Sequence, residues 1–309
     1  HVPTDSPAAN WSFCRMIKRQ FPKPRGGNPA ARVVHLVAPQ VWAWAKWRVR
    51  RLRKWSDLVL CLLPFEPVWF RAHKVHARFI GHPAFDQPLD ADALSWQAMN
   101  YATGRPKVAL LPGSRPSELK ANWPVLLATL ERLTERYPDA QATVAAVNDE
   151  AAQRLRQMSP DLPDNVRIVA GQTDAVVQWS DVVLTVSGTV TLHIARLGRP
   201  MAIVYKVRAL NWLLVGQWLI KTRTFTLPNL ITLGRPHTRR QGHVVREFIP
   251  FWGEVDPIVE ELSSLVSDPD KREAQLAALR AVVARFTRHN AGREAADAIV
   301  EQYEAATSG

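Results

Sequence analysis

The chain has 309 residues, 47% hydrophobic and 22% charged, with 40 Lys+Arg against 28 Asp+Glu for a net charge of +12. That is ordinary for a folded globular protein and long enough for about two domains. Two cysteines, Cys14 and Cys61, without CxxC spacing exclude a disulfide framework and a cysteine zinc site and point to a reducing compartment, and nine scattered histidines give no metal-protease spacing.

The opening "HVPTDSPAAN" has neither the charged start nor the apolar core of a signal peptide. It lacks an initiator Met and resembles the end of a strand, which predicts that a segment precedes His1. Residues 6–56 contain twelve Lys/Arg and no acid, and residues 182–246 contain ten Lys/Arg and no acid. Such segregation predicts basic faces, suited to nucleic acid, an anionic membrane surface or a phosphorylated substrate.

Short strands are predicted at 32–38, 57–65 and 77–83, with a helix over 41–56. Within that helix, "WAWAKWRVRRLRKW" (42–55) interleaves four Trp with six Lys/Arg. The pattern suits single-stranded nucleic acid, a membrane interface, or a helix with one Trp-lined core face. Residues 84–104 are polar and irregular and read as a linker.

A second series follows. Strands are predicted at 107–113, "QATVAAV", "VRIVAG", "DVVLTVSG" and "PMAIVYK", alternating with helices that include 117–138, where Pro124 marks an early turn or kink. This is a doubly wound α/β unit of at least five parallel strands. Ligands in such sheets sit beyond the carboxyl ends of the strands, where both "PGSR" (112–115) and "SGT" (187–189) fall. Each turn has the parts of an anion cradle: a helix start, a glycine and hydroxyls, with Arg115 adding a fork of donors. Each is equally consistent with a capped helix. No GxGxxG and no Walker lysine is present.

"RALNWLLVGQWLIK" (208–221) has an uncharged core of twelve residues, against about 20 needed to span a bilayer. With Trp212 and Trp218 inside and basic residues on its flanks, it reads as an interfacial helix or a buried one. The tail, 269–305, is Ala-rich, amphipathic and helical in pattern.

Taken in order, "DSP" (5–7), "APQVWAW" (38–44), "LPFEPVWF" (63–70), "FIGHP" (79–83), "LLPGSRPSE" (110–118), "SGTVTL" (187–192) and "LPNLI" (227–231) resemble the lipid-A-disaccharide synthase family. The resemblance implies an α/β fold of two Rossmann-like domains of GT-B type, the first incomplete at its N-terminus, with a helical C-terminal tail. The expected boundaries are 1–85 for the acceptor side, 86–104 for the linker, 105–268 for the UDP-sugar side and 269–309 for the terminal helices. The implied reaction is inverting transfer of 2,3-diacylglucosamine from UDP to 2,3-diacylglucosamine 1-phosphate, without a metal or other cofactor. Asp5 and Arg115 are the implied catalytic residues. The implied donor-binding set is Ser114, Glu118, Ser187, Gly188 and Thr189, then His193, Asn229 and Glu247. Asn10, Gln40, Trp42, Trp212 and Trp218 fall to the acceptor or membrane side. The implied setting is cytoplasmic and peripheral to the inner membrane, with an anionic surface as partner, no specific nucleic acid and a possible homodimer.

Three positions depart from the family pattern. Ala8 and Ala9 stand where the family has an Asp and a Phe before Asn10, so the expected base is Asp5 or a residue of the segment ahead of His1. His193 replaces a Glu suited to a ribose hydroxyl, and Pro250 replaces a Gln after Glu247-Phe248-Ile249. A GT-B-derived binder of anionic lipid, or another UDP-sugar enzyme, is the alternative these departures leave open.

Overall fold

A computed structural model describes residues 1–4, 7–21, 31–207, 224–234 and 242–307. Asp5, Trp212, Trp218 and the interfacial stretch 208–221 lie outside the described residues.

The first sheet is parallel, in the order β1 (Val34–Leu36), β2 (Leu58–Cys61), β3 (Ala77–Phe79). Residues 1–4 run beside it: the Val34 and Leu36 amides donate to the His1 and Pro3 carbonyls, both at 2.9 Å. Residues 1–4 therefore lie strand-like along β1. Helix α1 (Pro7–Gln20), which the sequence pattern did not signal, presses Cys14 and Ile17 onto Val33. The helix expected over 41–56 is shorter: residues 41–45 form an irregular turn with Ala45 at φ 52°, then a 3-10 turn (Lys46–Arg48) leads into α2 (Val49–Trp55). Trp42 is anchored elsewhere, which takes 41–45 out of the helix. Helix α3 (Glu66–Ala72) buries Phe70 beneath β2.

The expected linker contains a helix, α4 (Ala91–Ala98), started by Asp90, whose carboxylate accepts the Ala93 amide at 2.9 Å.

The second sheet is also parallel and has six strands: β4 (Lys107–Leu111), β5 (Gln141–Ala146), β6 (Val166–Ala170), β7 (Val182–Thr185), β8 (Met201–Lys206) and β9 (Glu247–Phe251). Their spatial order is β6-β5-β4-β7-β8-β9. The strands are almost continuously apolar because helices cover both faces. On one face lie α5 (Pro116–Arg136), α6 (Asp149–Met158) and α10 (Asp256–Ser267), which bury Leu126, Leu155 and Leu262. On the other lie α7 (Thr173–Trp179), α8 (Val190–Arg196) and α11 (Pro269–Val283), which bury Val176, Ile194 and Leu279. Pro124 faces solvent and α5 continues through it. Strand β9 was not legible beforehand because Pro250 argues against a strand. It sits at the sheet edge, where a missing N–H is tolerated.

Helix α9 (Leu227–Leu233) joins the two halves. Its Leu230 and Ile231 pack with Trp42, Leu63 and Phe65 of the first and Phe286 of the tail. The last helix, α12 (Ala291–Thr307), returns to the first sheet and buries Ala295 and Ala298 against Val34, Leu60 and Ile80. Asp86 caps its start, accepting the Ala291 and Gly292 amides at 2.7 and 3.0 Å.

Candidate active site

Chain order in the second sheet reverses at β4 and β7. From β4 the chain moves to β5 and β6 on one side, and β7 leads to β8 and β9 on the other. The crevice of such a sheet opens beyond the carboxyl ends of those two strands. Leu111 and Thr185, the last residues of β4 and β7, are register partners. "PGSR" and "SGT" therefore leave the sheet side by side. They form one wall of a cleft of about 580 Å³.

The β4–α5 turn depends on Gly113. Its φ is +107°, and a Cβ there would stand 2.9 Å from Glu118 Oε2 and 3.3 Å from Val186 Cγ2. Glu118 is the turn's own acceptor. Oε2 takes the Ser114 and Arg115 amides, each at 3.2 Å, and Oε1 takes Arg115 Nη1 at 3.0 Å. Glu118 thus caps the helix that carries it, while the Arg115 side chain stays 78% exposed at the cleft. On the same wall, Ser187 Oγ donates to the Phe225 carbonyl at 2.9 Å and ties the "SGT" turn to the segment before α9. Gly188 and Thr189 line the cleft beside it, and Thr224, Phe225 and Leu227 continue the wall.

The opposite wall comes from the first half: Gln40, Trp42, Ala43 and Trp44. Trp42 is held from beneath by Glu66, the one charged residue of "LPFEPVWF". Trp42 Nε1 donates to Glu66 Oε1 and the Leu63 amide to Oε2, both at 3.0 Å. Burial pushes the Glu66 carboxyl up from 4.5 to about 7, against those two hydrogen bonds, which favour its charged form. A carboxyl whose proton is held more tightly in the folded chain adds no penalty below its unfolded value. As pH rises from about 4.5 through about 7 the penalty grows to roughly 3 kcal/mol. Glu66→Gln, which keeps an acceptor for Trp42 without the charge, is expected to flatten melting temperature against pH between about 5 and 8. Parallel loss of stability in both proteins would assign the pH dependence to another group.

Other expected site residues stand outside the cleft. Asn229 is fully buried. Its Nδ2 donates to the Val245 carbonyl and Glu247 Oε1, and its Oδ1 accepts the Val244 and Val245 amides. Glu247 accepts the Phe225 and Thr226 amides, the Thr226 hydroxyl and Asn229. In this structure both support the 224–227 wall, and their polar groups are spent inside the protein. His193 points to Asp174 on α7, at 3.6 Å, and is not among the cleft-lining residues. Burial first, and the neighbouring His193 second, hold the His82 pKa below the ordinary imidazole value. Asn10 reaches the Thr4 carbonyl at 2.9 Å and does not line the cleft.

Among the described residues, no group of His, Cys, Asp and Glu is arranged to hold a metal. None of their helices is long and apolar enough to cross a membrane. The cleft can seat a ligand with an anionic part against Arg115 and the hydroxyl-bearing turn, and a less polar part against the exposed Trp44.

Comparison with known proteins agrees with this architecture. A lipid-A-disaccharide synthase from Anaeromyxobacter sp. (strain K) is 37% identical over 257 residues, covering 81% of this chain and 63% of the relative. This chain therefore spans less than two thirds of that protein's length. The lipid-A-disaccharide synthase of Alkalilimnicola ehrlichii is 35% identical over 305 residues, covering 97% of this chain and 75% of its own length. A solved structure of UDP-GlcNAc 2-epimerase from Neisseria meningitidis, bound to UDP-GlcNAc, has the same fold. Its TM-score is 0.56 at 12% identity, over 93% of this chain and 76% of that one. Residues 2–300 match the lipid-A-disaccharide synthetase family, and this chain belongs to it.

Proposed function

We propose that the chain works as an inverting hexosyltransferase that passes 2,3-diacylglucosamine from UDP to 2,3-diacylglucosamine 1-phosphate, at the cytoplasmic face of a membrane. The observation that carries this is the meeting of the "PGSR" and "SGT" turns at the reversal point of the second sheet, opposite an indole-lined wall from the first. Inversion takes a single displacement: a base removes the acceptor hydroxyl proton while UDP leaves from the opposite side of the sugar. Arg115 is placed to offset negative charge that develops on the diphosphate. Ser114 and Thr189 offer hydroxyls for its oxygens, Ser187 holds the second turn through the Phe225 carbonyl, and Trp44, exposed at the cleft, offers an apolar surface to the acylated sugar.

The competing reading is a binder of anionic surfaces on the same fold, and the acid-free stretch 6–56 favours it. Calorimetric titration of UDP separates the two. Micromolar to millimolar binding that weakens in Ser187→Ala supports the transferase. An intact, folded chain that takes up no UDP would end that assignment.

A further inference from the structure

The acid-free stretch becomes a specific object in three dimensions. Arg48 stands over three indoles, 4.1 Å from the Trp44 ring centre, 5.4 Å from Trp47 and 5.5 Å from Trp11. Arg51 stands 4.5 Å from Trp11 and 5.3 Å from Trp47. The result is a rack of alternating guanidinium and indole groups contributed by α1, the irregular turn 41–45, the 3-10 turn and α2. Its Trp44 rung is also a wall of the cleft.

Among the described residues, no acidic side chain pairs with the cations of this rack. None of the ion pairs among the described residues involves Lys46, Arg48, Arg50, Arg51, Arg53 or Lys54. Arg48 Nε is buried and has no hydrogen-bond partner among the described residues. Indole faces hold a guanidinium in place and reduce its hydration, while the edge of the group still presents paired donors. A purely structural helix contact would not need two such groups without counter-charges beside a ligand cleft. Two forks with an adjoining aromatic surface match a phosphate ester with a less polar body.

We propose that the Trp44–Arg48–Arg51 rack is a phosphate-ester subsite beside the cleft, and that it takes the anionic end of the acceptor. Naming the ligand as the acceptor rests on the transferase reading. Binding of a phosphate ester at this place does not.

The test uses the whole chain and soluble glucosamine 1-phosphate, followed by ³¹P line broadening. Arg48→Gln and Arg51→Gln are each expected to weaken binding about tenfold or more, and Arg48→Lys less, because the charge remains but the fork is lost. UDP affinity should stay within about twofold in all three, since the donor turns are elsewhere. Thermal melting checks that each variant is folded, and the two arginines are independent, so failure of one variant leaves the other as a test. No broadening with the unaltered chain, or broadening unchanged in both Gln variants, overturns the proposal. Vesicles of phosphatidylcholine with and without phosphatidylglycerol distinguish the second source of phosphate. If Arg48→Gln abolishes vesicle binding and leaves glucosamine 1-phosphate unaffected, the rack reads membrane headgroups and the subsite is overturned. If the ester binds through Arg48 while UDP does not bind at all, the subsite stands and the transferase reading falls.

Discussion

Arg115→Ala is expected to weaken UDP binding roughly ten- to hundredfold, the scale of a hydrogen bond to a charged group. Transfer should fall by about two to three orders of magnitude, because stabilisation of charge on the leaving group acts most strongly in the transition state. Stability should barely change. The side chain is 78% exposed, and its ion pair with Glu118, at 3.0 Å, is of a kind worth at most about 1 kcal/mol. The variant also leaves Glu118 without its guanidinium beside the cleft, which adds repulsion toward a diphosphate. Arg115→Lys should recover part of the binding, since a point charge replaces a two-pronged donor. Calorimetry and thermal melting on the same samples give both numbers. An unchanged UDP affinity in Arg115→Ala would remove this residue from the donor site.

The second large effect is on folding. Glu247→Ala withdraws the acceptor from the Phe225 and Thr226 amides, the Thr226 hydroxyl and Asn229 Nδ2, at 3.1, 3.0, 2.6 and 2.7 Å. These groups are largely buried, and leaving them unmet should cost about 3–5 kcal/mol after partial relaxation. For a chain of this size that is a fall of roughly five to eight degrees in melting temperature. UDP binding should weaken as well, because the same carboxylate holds the 224–227 wall and, through the Phe225 carbonyl, Ser187. The two variants therefore give different signatures. Arg115→Ala changes binding alone, and Glu247→Ala changes stability and binding together. Loss of UDP binding with an unaltered melting curve in Glu247→Ala would place the carboxylate on the ligand and contradict a supporting role.

Much of the second half was legible in sequence because parallel strands covered on both faces are short apolar runs, and strand–helix alternation sets their order. The strand-end placement of "PGSR" and "SGT" followed from that pattern alone. Element starts governed by unusual residues were less legible. Pro250 hid β9, and a polar composition hid α4, whose cap at Asp90 is a single-residue signal.

The site residues divide along a physical line. Sequence by itself determined the residue types at the two turns and the family pattern that joins them, since spacing along a strand–turn–helix unit is local. Only the tertiary structure decided which polar side chains face the cleft. Asn229 and Glu247 lie in motifs, yet their polar groups meet across eighteen positions and are consumed there. His193 turns to Asp174 on a neighbouring helix. Glu66 sits in an apolar run and becomes the support of Trp42 across 24 positions. The return of α12 to the first sheet joins residues more than 200 apart. Local periodicity encodes which face of an element is buried. It does not encode which distant element covers that face, and that long-range pairing settles whether a polar group is left for a ligand or used by the fold.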